Sequence, residues 1–106
     1  MKQTILGSGG AIGIELAKAL TAYTTDIRLV SRNPKKVNPN DEVFPADLTN
    51  REDIFKAIEG SEIVYVTVGF AYNIKVWQKL WTPFIRNVID ACIQHHAKLV
   101  FFDNVY

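Results

Sequence analysis

The sequence predicts a doubly wound α/β domain with a parallel sheet of five strands in the order 3-2-1-4-5. Short apolar runs alternate with longer segments of helical spacing, in the order strand, helix, strand, strand, helix, strand, helix, strand. The predicted strands are apolar at almost every position, as expected for parallel strands that helices cover on both faces. A cluster of four glycines, in "GSGGAIG" at residues 7–13, stands between the first strand and the first helix.

Five segments have the composition of buried β-strands, with Ile, Val, Leu, Phe and Tyr at most positions. In chain order they are "QTILG", "DIRLVS", "EVFPAD", "EIVYVTVG" and "KLVFFD". The segment "NPKKVNPND" between the second and third strands is polar and contains two prolines. We therefore expect a loop there rather than a regular element.

Two helices are predicted from apolar spacing and cap signals. The first follows the glycines and has apolar residues at helical spacing: Ile12, Leu16, Ala19 and Tyr23. The second is "TNREDIFKAIEG", in which Thr49 and Glu52 form a capping box. Gly60 stands where the C-terminal cap of this helix belongs.

A third, longer helix is predicted between the last two strands. Its apolar residues recur at helical spacing: Trp77, Leu80, Trp81, Phe84, Val88, Ile89 and Cys92. Pro83 interrupts the pattern. Either this proline kinks the helix, or Thr82 and Pro83 are the N-cap and first residue of a second helical segment.

Composition narrows the class of protein. The chain has 106 residues, 48% of them hydrophobic, which suits one domain with a substantial core. A net charge of +1 argues against a nucleic-acid surface and a polybasic membrane anchor. Cys92 is the only cysteine, which excludes an internal disulfide and favours a reduced, cytoplasmic setting. We recognise neither a signal peptide nor an apolar run long enough to cross a membrane.

The glycine cluster predicts a site for a dinucleotide's pyrophosphate. The turn from the first strand into the first helix faces that group in doubly wound sheets, and a helix N-terminus attracts anions. A side chain at Gly7 or Gly10 would obstruct the tight turn or the approach of phosphate, whereas Gly13 permits close packing on the first strand. The spacing is G-x-x-G-x-x-G, because position 12, where the strict G-x-G-x-x-G pattern needs glycine, is Ile12. The alternative is a generic glycine-rich turn.

Five segments together resemble the short-chain dehydrogenase/reductases, in particular the extended and atypical branch of NAD-dependent epimerase/dehydratase-like proteins. In order they are "ILGSGGAIG", "LVSRNPKKV", "PADLTN", "VYVTVG" and "NVIDACIQHHAKLVFFDNVY". The resemblance covers essentially the whole chain. It implies that residues 1–106 form an NAD(P)-binding Rossmann domain. The cofactor-binding residues of the first turn are then Gly7, Ser8, Gly9, Gly10, Ala11, Ile12 and Gly13.

The resemblance also implies roles for residues after the second and third strands. Ser31 and Arg32 stand where an NAD-preferring site usually has an acid for the ribose hydroxyls. Because no acid is present and Arg32 can meet a 2′-phosphate, NADP is favoured over NAD; the alternative is a solvated loop arginine. Asp47, with Leu48 beside it, matches the acid that the family places near the adenine amino group. Its alternative is a turn or helix-cap aspartate.

The resemblance further places Val68 and Gly69 under the nicotinamide-side ribose, although Gly69 is equally interpreted as a strand-ending glycine. We expect no metal site. His95 and His96 are adjacent and therefore point in different directions, and they favour an interaction with the helix dipole. Cys92 is expected to pack in the core rather than act as a nucleophile.

The family's catalytic tyrosine, followed four residues later by lysine, is not found in this sequence. Asp103 and Asn104 stand where the family has a serine, and Tyr106 is the last residue. We therefore expect an N-terminal fragment, truncated after the fifth strand, of an oxidoreductase or sugar epimerase/dehydratase. A non-catalytic NADP-sensing regulator is the alternative, and a third is an α/β domain that binds another phosphorylated ligand or none. Whether the chain is an enzyme is left open.

The sequence also predicts a homo-oligomer. The edge of "KLVFFD" would present unpaired backbone groups, which invites pairing with another chain. An apolar helix face at Trp77, Trp81, Phe84 and Val88 would be a second contact surface.

Overall fold

The computed structural model describes residues 2–67 and 74–101, except for the side chains of residues 74–78 and 80. Five strands and three helices lie in these ranges. In chain order they are β1 (Gln3–Leu6), α1 (Ala11–Leu20), β2 (Ile27–Ser31), β3 (Glu42–Pro45), α2 (Arg51–Ile58), β4 (Ile63–Val66), α3 (Ile74–His95) and β5 (Lys98–Phe101).

The strands form one parallel sheet in the order β3-β2-β1-β4-β5, which confirms the predicted topology. In the register of the central strand, Ile5 lies between Leu29 of β2 and Tyr65 of β4. The chain moves outward from β1 to β2 and β3, and then crosses back to β4 on the other side of β1. Such a reversal opens a crevice at the carboxyl ends of the strands, which is where ligands bind in open α/β sheets.

Two apolar layers hold the helices on the sheet. The larger core cluster lies between the sheet and the helices α2 and α3, and its members are Leu6, Val30, Ala46, Ile54, Ala57, Ile58, Val64, Val66, Phe84, Val88, Ala91 and Cys92. The smaller one lies between the sheet and α1, and it consists of Ile5, Ala17, Leu20, Ile27 and Leu29. Helices on both faces explain why most positions of the strands are apolar.

The first helix is present as predicted, but it buries a different face. Gly13, Ala17 and Leu20 are its buried residues. Ile12 is 39% exposed, and Tyr23 lies beyond the end of the helix and is 81% exposed. A glycine at position 13 allows the helix to touch the turn after β1, and that contact turns the neighbouring Ile12 toward solvent.

The second helix is capped by a residue other than the predicted one. Asn50 is the N-cap, and its side chain accepts a hydrogen bond from Asp53 N. Thr49 donates instead to Asp47, so the predicted capping box is wrong. Asparagine competes well for a cap because its short side-chain oxygen reaches the amide three residues on. At the other end Gly60 has φ +80°, and this confirms the predicted glycine at the helix C-terminus.

The third helix runs without interruption through Pro83. The alternative of a second helix that begins at Thr82 is therefore wrong. Phe84 and Val88 are fully buried in the core, so this part of the predicted exposed helix face is wrong as well. These side chains meet α2 and the sheet, which already cover that face. The side chain of Trp77 lies outside the described residues.

The end of α3 is a Schellman motif. His96 has φ +57°, its N–H donates to Ile93 O over 3.4 Å, and Ala97 N donates to Cys92 O over 2.9 Å. These are the two hydrogen bonds that define the motif, with His96 at the position where glycine is most common. Within the described part of the chain, no helix is both long and apolar enough to cross a membrane.

Candidate functional site

The residues that the sequence predicts as cofactor contacts follow the carboxyl ends of neighbouring strands. Residues 7–13 follow β1. Ser31 is the last residue of β2 and Arg32 comes directly after it, whereas Asp47 is the second residue after β3. Because parallel strands end at the same edge of a sheet, the topology brings all three groups to one side of the molecule. Val68 and Gly69 lie outside the described residues.

The turn after β1 is shaped by two of its glycines. Gly7 has φ +89°, a conformation that side chains rarely adopt. A Cβ at Gly13 would lie 2.8 Å from Gly7 O and 2.9 Å from Ser8 Cα, so α1 packs closely on the turn that follows β1, whereas the sequence predicted packing on the strand itself. At Gly10 the nearest atom to an added Cβ is 3.9 Å away. The tight turn therefore does not itself require glycine there, and the obstruction of a phosphate by a side chain at Gly10 stays a prediction.

The N-terminus of α1 has no anionic or capping group of its own. Its N-cap, Gly10, has no side chain, and the first turn contains no acidic residue. The N-terminus of α2, in contrast, has the Asn50 cap and the carboxylates of Glu52 and Asp53. The amides of a first helical turn have no partner within the helix and carry partial positive charge. The first turn of α1 therefore offers backbone donors to an anion from outside the chain.

A buried hydroxyl lies in the same turn. Ser8 is 3% exposed, and its Oγ has no hydrogen-bond partner among the described residues. Its backbone N–H donates to Val30 O over 3.3 Å. A buried hydroxyl without a partner is uncommon and costs free energy, which a water molecule or ligand atom can recover. The residues of this turn thus fit a group that brings its own hydrogen-bonding atoms.

Arg32 provides a positive charge at the end of β2. Its neighbour Ser31 is the last residue of that strand and accepts a hydrogen bond from Ala46 N through its carbonyl oxygen over 2.9 Å. Arg32 is exposed, and its charge is one of the causes that lower the pKa of the Asp47 carboxyl. An exposed guanidinium at this place suits a phosphate group.

Asp47 is exposed, and its Oδ1 accepts two hydrogen bonds from Thr49. The hydroxyl of Thr49 donates over 2.6 Å and its backbone N–H over 2.9 Å. Both bonds hold the pKa of the Asp47 carboxyl below its usual value, and the bond from the hydroxyl has the larger effect. Leu48 is partly buried against the larger core. Asp47 therefore has the turn geometry of the alternative interpretation while its carboxylate stays at the surface.

The sequence reasoning missed Thr67, which follows β4. Its hydroxyl donates to Leu6 O over 3.0 Å and Gly7 O over 3.1 Å, and its backbone N–H donates to Leu6 O over 3.0 Å. It thereby ties the glycine turn to the neighbouring strand. The signal available in the sequence was a threonine directly after a strand made of Ile, Val and Tyr.

Two further predictions concern chemistry that does not belong to this site. Among the described residues, no group of three or more His, Cys, Asp or Glu side chains could hold a metal ion. Cys92 packs in the larger core, as predicted, and burial raises the pKa of its thiol to about 11. A thiol of this kind is protonated at neutral pH and is a poor nucleophile.

A family model described as NAD(P)H-binding matches residues 7–102. The chain belongs to this NAD(P)H-binding family. The match begins at the glycine turn and includes every predicted contact residue. It confirms the NAD(P)-binding domain that the sequence segments indicated. No curated protein matches the chain.

Solved structures share the fold. Uronate dehydrogenase from Agrobacterium tumefaciens has a TM-score of 0.84 at 17% identity, over 97% of this chain and 40% of that one. A mutant of that enzyme complexed with NAD has a TM-score of 0.83 at 18% identity, over 97% of this chain and 40% of the other. A Rossmann-fold NAD(P)-binding family protein from Shigella flexneri has a TM-score of 0.73 at 24% identity, over 94% and 50%. This NAD(P)H-binding chain spans about two-fifths of the length of the uronate dehydrogenase structures.

Proposed function

We propose that this chain is the dinucleotide-binding part of an NAD(P)-dependent oxidoreductase or sugar epimerase/dehydratase of the short-chain dehydrogenase/reductase type. The observation that carries the proposal is the uncapped N-terminus of α1, which lies behind a glycine turn with a buried, unpartnered Ser8 hydroxyl. An anion held there would satisfy donors that the described residues leave open. The length of the uronate dehydrogenase structures, relative to this chain, supports a place for it in a longer protein.

Each group at the carboxyl edge would hold one part of the dinucleotide. The backbone of residues 7–13 would bind the pyrophosphate, Arg32 a 2′-phosphate, and Asp47 the adenine amino group. Val68 and Gly69 would lie along the nicotinamide-side ribose. When bound, the nicotinamide ring would supply the acceptor or donor of a hydride. The residues described here bind and orient the dinucleotide.

The preference for NADP over NAD is the most specific part of this proposal, and it rests on Arg32. In a titration with each dinucleotide, NADP should bind more tightly than NAD. A partly exposed arginine–phosphate contact contributes about 1–2 kcal/mol, or about five- to thirtyfold in affinity. The Arg32→Ala variant should lose this preference and retain its affinity for NAD. Arg86→Ala, which removes an exposed arginine from α3, is the control and should retain both affinities.

Two results would contradict the cofactor assignment. Equal affinities for NAD and NADP that Arg32→Ala leaves unchanged would refute the role of Arg32 but not the dinucleotide site. No binding of either dinucleotide to folded protein would refute the site itself. We propose a cytoplasmic location, which the lone and reduced cysteine supports.

We also propose that this chain self-associates through β5, where Phe101 is 41% exposed. Lys98 N donates to Glu62 O at 2.8 Å, so the alternation of a parallel ladder directs the N–H groups of Leu99 and Phe101 away from β4. A second strand could bind these groups. Sedimentation should show a mass above the 12.0 kDa of one chain. The Phe101→Lys variant should reduce that mass and Ile12→Lys should not; a concentrated wild-type monomer would refute this proposal.

A further inference from the structure

The two carboxylate oxygens of Asp47 have different surroundings. Oδ1 accepts the hydroxyl and the backbone N–H of Thr49, at 2.6 Å and 2.9 Å. Oδ2 accepts no hydrogen bond from the described residues, and the Asp47 side chain is exposed. One oxygen is therefore used to hold the carboxylate in place, while the other is available to a ligand.

The backbone of this turn is also held in place. Asp47 N donates to Asp53 Oδ2 over 2.9 Å, and Asn50 N donates to the Asp47 carbonyl oxygen over 3.0 Å. Asp53 N in turn donates to Asn50 Oδ1 over 3.2 Å. The turn that carries Asp47 is thus fixed to the first turn of α2. With the backbone fixed, the Thr49 hydroxyl is the side-chain group that sets the rotation of the carboxylate.

An ionised, oriented carboxylate can discriminate between purine bases. Adenine presents a donor at its amino group, which a carboxylate oxygen accepts. Hypoxanthine presents a carbonyl oxygen at the same ring position, and two acceptors repel each other. The hydrogen bonds from Thr49 also hold the pKa of Asp47 low, so the carboxylate remains acceptor-only at neutral pH.

We propose that Thr49 is a positioning residue for adenine recognition: it binds Oδ1 of Asp47 so that Oδ2 meets the amino group of the base. This inference rests on the proposed function, because it requires the dinucleotide to bind at this edge of the sheet. In this arrangement the hydrogen bonds of the turn orient the Asp47 carboxylate through one oxygen, and its other oxygen binds the base. Thr49 itself contacts no part of the ligand.

The test compares four dinucleotides: NAD, NADP and the hypoxanthine analogue of each. Thr49→Val removes the hydroxyl bond and retains the backbone bond to Asp47. Its preference for adenine over hypoxanthine should fall by about five- to tenfold, which is within the range for the net contribution of one typical hydrogen bond. Thr49→Ser restores the donor and should restore the preference. Thr25→Val removes an exposed threonine hydroxyl at the amino end of β2 and should leave the preference unchanged.

The outcomes separate this inference from the proposed function. If wild type binds a dinucleotide and Thr49→Val keeps the full adenine preference, the positioning role is refuted and the dinucleotide site stands. An equal loss of affinity for adenine and hypoxanthine forms would show that Thr49 has a general structural role, which also refutes the inference. Should wild type bind none of the four, both the site and the role of Thr49 are refuted. Thermal melts of every variant verify that each is folded.

Discussion

Replacing Gly13 with alanine tests whether the contact between α1 and the turn after β1 is as close as the structure shows. The new Cβ would lie 2.8 Å from Gly7 O, 2.9 Å from Ser8 Cα and 3.1 Å from Ser8 C. All three are backbone atoms of a turn whose amides are bound to Val30 O. None can be relieved by rotation of a side chain. The N-terminus of α1 or the turn must therefore move by roughly half an ångström to reach an ordinary contact distance.

The expected magnitude is a difference between two terms. Overpacking a well-packed contact costs about 1–3 kcal/mol, and rigid backbone neighbours place Gly13→Ala toward the upper end. Alanine in place of glycine within a helix recovers about 1 kcal/mol. The net destabilisation is therefore about 1–2 kcal/mol, which lowers Tm by about 4–10 °C for a domain of this size. Because the shifted turn is the proposed pyrophosphate site, dinucleotide affinity should fall as well.

Gly9→Ala is the matched control, since a Cβ at this position has no neighbour within 4 Å. Its free energy of unfolding should change by no more than about 0.5 kcal/mol, as for a neutral surface substitution. Thermal and urea unfolding of both variants measure the effect. A Gly13→Ala protein as stable as wild type would contradict the close approach of α1. Equal destabilisation by Gly9→Ala would show that the effect is general to the turn rather than specific to this contact.

Three further predictions concern stability and reactivity. His96→Gly should raise the free energy of unfolding by about 1 kcal/mol, because glycine accepts the positive φ at this position without strain; a lower Tm would contradict it. Burial opposes ionisation of Glu42, but hydrogen bonds from Lys2 and Arg28 outweigh it and lower the pKa of the carboxyl. The ionised carboxylate stabilises the fold fully above the unfolded-state pKa, and this stabilisation is lost as pH falls through the lowered pKa of the folded state. The Glu42→Gln variant should therefore lose less stability on acidification than wild type does. Unfolding curves with the same pH dependence as wild type would refute this. Cys92, whose pKa burial raises to about 11, should react with thiol reagents at pH 8 only as the protein unfolds; rapid labelling of native protein would contradict its burial.

The sequence predicted what depends on local patterns. The order of strands and helices along the chain follows from apolar runs and spacing, and the order of strands in the sheet is the one expected for this doubly wound fold class. The place of the candidate site stays a prediction, which rests on the glycines between the first strand and the first helix. A close contact at Gly13 and a glycine at the C-terminus of α2 were likewise predictable, since each reflects a constraint within a few residues.

The tertiary structure decided which face of a helix is buried and which residue caps it. Helical spacing predicted that Ile12 lies on the buried face of α1, but the contact at Gly13 set the rotation of the helix. Ala17 is buried instead. Asn50, which the sequence analysis did not name, is the N-cap of α2 in place of Thr49, and Thr49 binds Asp47 instead. Such choices are made by contacts between segments, whereas a single sequence specifies only the periodicity within each. For the same reason the carboxylate of Asp47 could be named from the sequence, but only the fold determined which of its oxygens accepts hydrogen bonds from Thr49.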